Sequence, residues 1–253
     1  MRAWLSSGLP WWQRAVSFMA LLALWQAGSM LIGPRLLPRP AAVAVILGAD
    51  IADGTLPYHV GITLARVAAS FSLAMLIGAA IGLAMGRLPR FDRFFDGWLV
   101  LFLNIPALVT IVLCYVWFGL VEAAAIAAVA FNKIPTVVVT VREGARALNR
   151  DYLEMAQVFR FGPVKTLRHV VLPELAPFLI VAARSGLALI WKIVLVVELL
   201  GRSNGVGFQI NVFFQLFDVA SILAYTIAFV AIIQMIEWFL LRPIERRVSR
   251  WRR

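Results

Sequence analysis

The chain has 253 residues, 62% of them hydrophobic and only 15% charged, and a formal net charge of +11. Soluble domains carry roughly 45–50% apolar and about 25% charged residues, so this composition excludes a soluble globule and indicates an integral membrane protein. Cys114, the single cysteine, lies inside an apolar run, which rules out an intrachain disulfide and argues against redox chemistry.

At ~20 residues per crossing, six helical spans are expected, because a lipid-exposed backbone must satisfy its own hydrogen bonds. The first, near Ala15–Ile32, is too long for a removable signal peptide and lacks a small-residue cleavage site after it. The second covers about residues 67–85 and contains "IGAAIGLAMG", in which Gly78, Gly82 and Gly86 form two overlapping GxxxG units on one face. Small residues let helix backbones approach closely in lipid, so this face is read as a packing seam. The third span, 97–120, has Asn104 and Pro106 near its start; they break the helical ladder, either as a kink or to turn carbonyls toward a cavity. The fourth, 123–141, carries Lys133 and Pro135.

Between spans four and five lies "LEMAQVFRFGPVKTLRHVVLPELAP", the most polar and most patterned segment of the chain. Read as helix, Glu154, Val158 and Phe161 share one face. Gly162-Pro163 stops that helix, and a second short helix is expected from 164 to 171, ending before Leu172-Pro173. Such a pair either presents a knob to a partner or lies flat on the bilayer. Span five, 175–197, carries Arg184 and Lys192, with Glu198 at its end. A charge near the bilayer centre costs ~2.5–3.5 kcal/mol on insertion scales. Arg184 and Lys192 lie about 80° apart around the helix. Arg184 and Glu198 either snorkel to opposite surfaces or serve function, whereas Lys192 is too central to reach either surface easily. "GRSNGVGF" follows and reads as a tight turn. The sixth span is Val219–Ile236.

Arginine placement orients the map. With the N-terminus inside, the inner segments hold Arg87, Arg90, Arg93, Arg142, Arg146, Arg150, Arg160, Lys165 and Arg168, and the tail adds six more arginines. The outer connections hold only Arg35, Arg39 and Arg202, with Arg66 at the outer end of span two. This is the positive-inside imbalance, and it places both termini in the cytoplasm. It also accounts for the net charge without nucleic acid, since a basic tail beside a membrane helix meets anionic lipid headgroups. No repeat or linker divides the chain. The expected organisation is a cytoplasmic segment 1–14, a transmembrane domain 15–241 and a basic cytoplasmic tail 242–253.

"EMAQVFRFGPVKTLRHVVLP" resembles the EAA loop of permease subunits of ATP-binding-cassette importers, with Glu154, Ala156, Val170, Leu172 and Pro173 on matching positions. Met155 replaces the first alanine of the pattern. Arg160 stands where the family has a glycine, and Gly162 is the other candidate for the turn. "GTLPYHVGITLARV", "LNIPALVTIVLCYVWFG" and "WKIVLVVELLGRSNGVGF" are similar to the nitrate, sulfonate and taurine group of these permeases. The resemblance implies an all-α fold of the type I importer class and a homodimer or pseudo-dimer. A soluble binding protein would deliver solute at the outer face, and one ATPase would dock under each copy.

The loop at about 146–173 would then be the coupling segment, with Glu154, Ala156, Arg160, Gly162, Leu172 and Pro173 as its contacts. Asn104, Pro106, Lys192 and Glu198 would belong to the translocation pathway, Lys192 facing a water-filled dimer cavity and Glu198 near an outer gate. The lysines, Lys133, Lys165 and Lys192, follow Asn132, Val164 and Trp191 rather than the glycine of a phosphate-binding loop. ATP and magnesium are therefore expected on the partner subunit, with no cofactor or metal on this chain. The default cargo is a small anion, with a heterocyclic vitamin precursor as the alternative. A secondary transporter would be expected to show inverted repeats and an intramembrane enzyme a catalytic motif; neither is present in the sequence.

Overall fold

The computed structural model describes residues 11–241, and the secondary structure among them is helical throughout. The elements in order are α1 (Trp11–Ile32), α2 (Pro40–Ala52), α3 (Thr55–Arg87), α4 (Pro89–Leu103), α5 (Ala107–Phe118) and α6 (Glu122–Arg146). Then come α7 (Arg150–Val158), α8 (Pro163–Thr166), a π turn (Leu167–Val171), α9 (Leu172–Gly201), α10 (Val206–Gln215) and α11 (Val219–Ile236). Local chemistry sets several starts. Pro40, Pro89 and Pro163 open their helices where a missing N–H costs nothing. Asn149 caps α7 by accepting from Asp151 N–H, and Asp218 caps α11 by accepting from Ser221 N–H.

Among the described residues, five helices are long and apolar enough to span a membrane, and the bent pair α4–α5 makes a sixth if it counts as one span. The core is a three-helix seam. Gly78, Gly82 and Gly86 of α3 lie against Val137, Val141 and Ala145 of α6, so these helices run parallel. Contacts of α6 with α9 run the other way: Glu122 meets Arg202, Lys133 lies by Gly186, and Gly144 meets Phe178. The expected packing role of the GxxxG stripe holds, since a Cβ on Gly82 would stand 2.7 Å from the Val138 carbonyl oxygen. By contrast α1 is exposed around most of its circumference and touches the rest through the α1–α2 corner, where Trp25 Nε1 donates to Pro38 O.

Three expected boundaries change. Span two extends to the 33-residue α3, about 50 Å at 1.5 Å per residue; the polar residues that suggested a later start, His59 and Arg66, are buried against partners in the fold. The third span is not straight, because α4 and α5 meet at 96° across Asn104–Pro106. Leu172-Pro173 does not end a helix. The π turn closes with Leu172 N–H donating to Leu167 O, five residues back. Proline clashes with the carbonyl four residues back, and this wider turn carries the chain through Pro173 into one continuous helix from Pro163 to Gly201. Sequence reading also missed α2 and α10, short helices within connections. The tail arginines and residues 1–10 lie outside the described residues.

Candidate functional site

The segment between α6 and α9 is a protruding helical knob. Ala156 is its inward face, almost fully buried, so its methyl is covered within the protein rather than offered to a partner. Glu154 is exposed, and around it Tyr152, Met155, Val158, Phe159 and Val164 all present apolar surface. Leu172 and Pro173 are exposed at its base. Lys165 Nζ sits 4.0 Å from the centre of the Phe161 ring.

The turn is made by Arg160, which adopts φ +52°, while Gly162 has an ordinary extended φ of −68°. The hydrogen bonds say why. Phe161 N–H donates to Ala156 O at 2.8 Å and Arg160 N–H to Gln157 O at 2.9 Å, the two bonds of a Schellman cap, which needs a left-handed residue at this position. Gly162 as the turn residue is thereby corrected. A Cβ on Gly162 would meet no atom within 4 Å. A left-handed conformation costs a non-glycine residue about 1–2 kcal/mol. Arg160→Gly should therefore stabilise the α7 end by about 1 kcal/mol, read as slower amide exchange at Phe161; unchanged or faster exchange would contradict the strain.

The elbow contains both Asn104 and Pro106, each exposed. Asn104 Nδ2 donates to Val100 O at 2.7 Å, tying the side chain to the last turn of α4, and Pro106 stands at the N-cap of α5. The kink reading of these two residues is the one the geometry supports.

Arg184 and Lys192 share a groove between α9 and α11 of roughly 470 Å³. Trp191, Thr226, Phe229 and Glu237 also line it, with the Trp191 and Phe229 rings edge to face at 6.2 Å. Lys192 itself is exposed. Thus the two cations that helical spacing put on neighbouring parts of one face do meet in one concavity.

Glu198 departs from expectation. It neither snorkels nor faces an accessible gate, being completely buried. Oε1 accepts from Arg66 NH1 at 2.8 Å, and Oε2 accepts from Gly207 N–H at 2.8 Å and from Thr63 Oγ1 at 3.0 Å. Arg66 in turn clasps Glu122 through two bonds of 2.6 and 2.9 Å and donates to both oxygens of Asn204. Arg202 completes the set on Glu122 and Leu120 O. Two arginines and two carboxylates thus balance, which is what burial of charge demands.

The "GRSNGVGF" stretch is more than a turn. It folds back so that Gly205 N–H reaches His59 Nδ1 at 3.0 Å and Val206 N–H reaches Thr63 Oγ1 at 2.9 Å. A side chain at Gly205 or Gly207 would run into Glu198. Sequence reading missed Arg66 and Glu122 as partners of Glu198. A charged residue inside an apolar helix was a signal that a partner exists, but not which one. Lys133 is also buried, and its ammonium has no hydrogen-bond partner among the described residues.

Three comparisons bear on this architecture. A family model described as the binding-protein-dependent transport system inner membrane component matches residues 74–250. A putative aliphatic sulfonates transport permease protein of Bacillus subtilis is 28% identical over 234 residues, 92% of this chain and 84% of that protein. The taurine transport system permease protein of Escherichia coli is 28% identical over 238 residues, 91% of this chain and 86% of that protein. A riboflavin transport system permease protein of Chloroflexus aurantiacus is 30% identical over 251 residues, 98% and 91% respectively. Among solved structures, the MetNI methionine ABC transporter in an inward-facing conformation superposes with TM-score 0.65 at 18% identity, covering 75% of this chain and 94% of that one. At that identity the likeness speaks to the fold alone.

Proposed function

This chain belongs to the family of binding-protein-dependent transport system inner membrane components, and from that premise we propose that two copies of it enclose the pathway for a small sulfonate-like anion. The chain is a multi-pass membrane protein, the permease subunit of an ABC importer. The finer assignments are ours: an ATPase subunit that binds ATP and magnesium docks on the knob at Glu154, and an external binding protein delivers the solute.

The observation that carries the anionic reading is Lys192, exposed in a groove with Arg184 midway along α9, whose two acids, Glu174 and Glu198, lie near its ends and do not line that groove. An ammonium in such a place lowers the cost of moving a negative charge through a low-dielectric region. The similarity to permeases named for sulfonates and taurine supports the same choice. The coupling role is supported by the five exposed apolar side chains around Glu154, a concentration of apolar surface that marks an interaction site. Glu154, Arg160, Gly162, Leu172 and Pro173 are placed to touch a partner there, with Ala156 acting from beneath.

A second reading has its own support in the riboflavin permease similarity and in the aromatic wall of Trp191 and Phe229. Under it the cargo is a heterocyclic vitamin precursor that stacks rather than pairs. One variant separates them. Lys192→Met keeps length and removes charge, so uptake of radiolabelled taurine or methanesulfonate by cells carrying the complete importer should fall at least tenfold while insertion persists. Undiminished uptake of the anion would remove Lys192 from the pathway, and retained uptake of riboflavin would favour the second reading.

Both termini are placed on the inner side, with Arg87–Arg93 and the knob. The arginine imbalance supports this. Reporter fusions at Arg90 should read cytoplasmic and those at Asp50 external; the reverse pattern would invert the docking site.

A further inference from the structure

At the α7 end of the bundle, five charged side chains form one cluster. Arg142 NH1 lies 2.5 Å from Asp96 Oδ1 and 3.4 Å from Asp92 Oδ1, and Arg146 NH2 contacts Asp92 Oδ2. Arg146 NH1 also holds Glu143 at 3.0 Å on its own helix. Arg142 and Asp92 are mostly shielded, with side-chain exposures of 14% and 15%, so their attraction is stronger than that of a surface pair. The cluster joins only two elements, α4 and α6.

What stands at either end of it matters. Arg146 is the last residue of α6, and α7 begins at Arg150. Asn149 N–H donates to Glu174 Oε2 at 3.1 Å, so the start of α7 is also pinned to α9. On the other side, α4 is held along one face only. Phe91, Phe95 and Leu99 tuck in near Met85 and Val138, and Phe102 meets Phe131 of α6, but Phe94, Trp98 and Leu101 are exposed. From Asp92, α4 runs to the elbow at Asn104, about 18 Å further at 1.5 Å per residue.

We propose that Arg142 and Arg146, gripping Asp92 and Asp96, act as an ionic clutch that delivers displacement of α7 to the α4–α5 elbow. This rests on the reading of α7 as the ATPase-docking helix. When α7 is pushed, the end of α6 moves with it through the short Ala147–Asn149 link. The two arginines carry α4 along, and a stiff helix transfers that motion to its far end. The α3–α6 seam is tightly packed through its glycines and moves as one body, so α4, which rests on it by one face, is the element placed to respond. Asp92, Asp96, Arg142 and Arg146 are positioning residues on this account and touch no solute.

The test uses the permease reconstituted in nanodiscs with its ATPase, in a Cys114→Ser background. Spin labels at Leu103 report the elbow, and labels at Met155 report α7. In the parent complex, trapping with ATP and vanadate should change the distance between the two Leu103 labels of a dimer. In Asp92→Asn/Asp96→Asn that change should shrink at least fivefold, while the Met155 response and basal ATP hydrolysis stay within twofold. The charge-exchanged form, Asp92→Arg/Asp96→Arg with Arg142→Asp/Arg146→Asp, should restore the elbow response. A merely structural cluster would not separate the two labels in this way.

If the neutralised complex fails to assemble, Asp96→Asn alone, at the more exposed acid, should still give a partial loss. An elbow response that persists without the carboxylates overturns the clutch and leaves the docking reading intact. A Met155 label that never responds overturns both, since α7 then has no motion to transmit.

Discussion

Glu198→Ala should destabilise the chain by about 3–5 kcal/mol, the cost of leaving a buried charge without its counter-ion. Arg66 would lose one of two carboxylates while 3% exposed, and Gly207 N–H and Thr63 Oγ1 would lose their acceptor. The measurement is unfolding of the detergent-solubilised permease, followed by thermal melt or steric trapping. Two comparisons give the result its meaning. Glu122, whose side chain is 47% exposed, can be hydrated when released, so Glu122→Gln should cost less than about 1 kcal/mol. The double variant Arg66→Met/Glu198→Met removes both charges and replaces them with apolar volume. It should recover part of the loss, because the penalty comes from the orphaned charge rather than from the missing attraction. A Glu198→Ala chain as stable as the parent would mean that water reaches this network, and Glu198 would return to the candidates for an outer gate.

The second large effect belongs to the α3–α6 seam. Gly82→Leu should prevent the two helices from closing, giving little folded monodisperse protein on size-exclusion after extraction. The reason is geometric: a Cβ alone meets the Val138 carbonyl oxygen at 2.7 Å and Val141 Cβ at 2.9 Å, and backbone cannot swing aside as a side-chain tip can. Gly86 is tighter, at 2.5 Å from Ala145 Cβ. Even Gly82→Ala should cost about 1–3 kcal/mol by overpacking, because small residues are what let helices approach in lipid. Gly97→Leu is the control, since nothing lies within 4 Å of a Cβ there. Equal yields of folded Gly82→Leu and Gly97→Leu protein would show that the seam opens without penalty.

Much of the architecture was legible in the sequence because its signals are local. Long uncharged runs mark spans wherever they pack, and the arginine imbalance needs no partner to be read. The glycine stripe repeats every four residues, which one helix face displays by itself. The elbow was announced by Asn104 and Pro106, though its 96° angle was not. The knob was recognisable by its pattern, but its turn residue stayed open between Arg160 and Gly162. Glycine is the usual left-handed residue, and only the two hydrogen bonds to Ala156 O and Gln157 O show that Arg160 takes that conformation here.

The sequence by itself determined the membrane class, the order of the five long spans, the presence of the knob and the face shared by Arg184 and Lys192. Each is a property of composition or of short-range helical spacing. The tertiary structure decided what the charges inside the apolar helices do. Arg66 and Glu198 are 132 positions apart, and Arg142 and Asp96 are 46 apart, so no local pattern pairs them. In a medium that does not hydrate ions, a charge is tolerated only where the fold brings up its complement. Which complement arrives depends on how distant helices pack: Glu198 became a fastening of three helices, while Lys192, six residues earlier on the same helix, remained open to a groove.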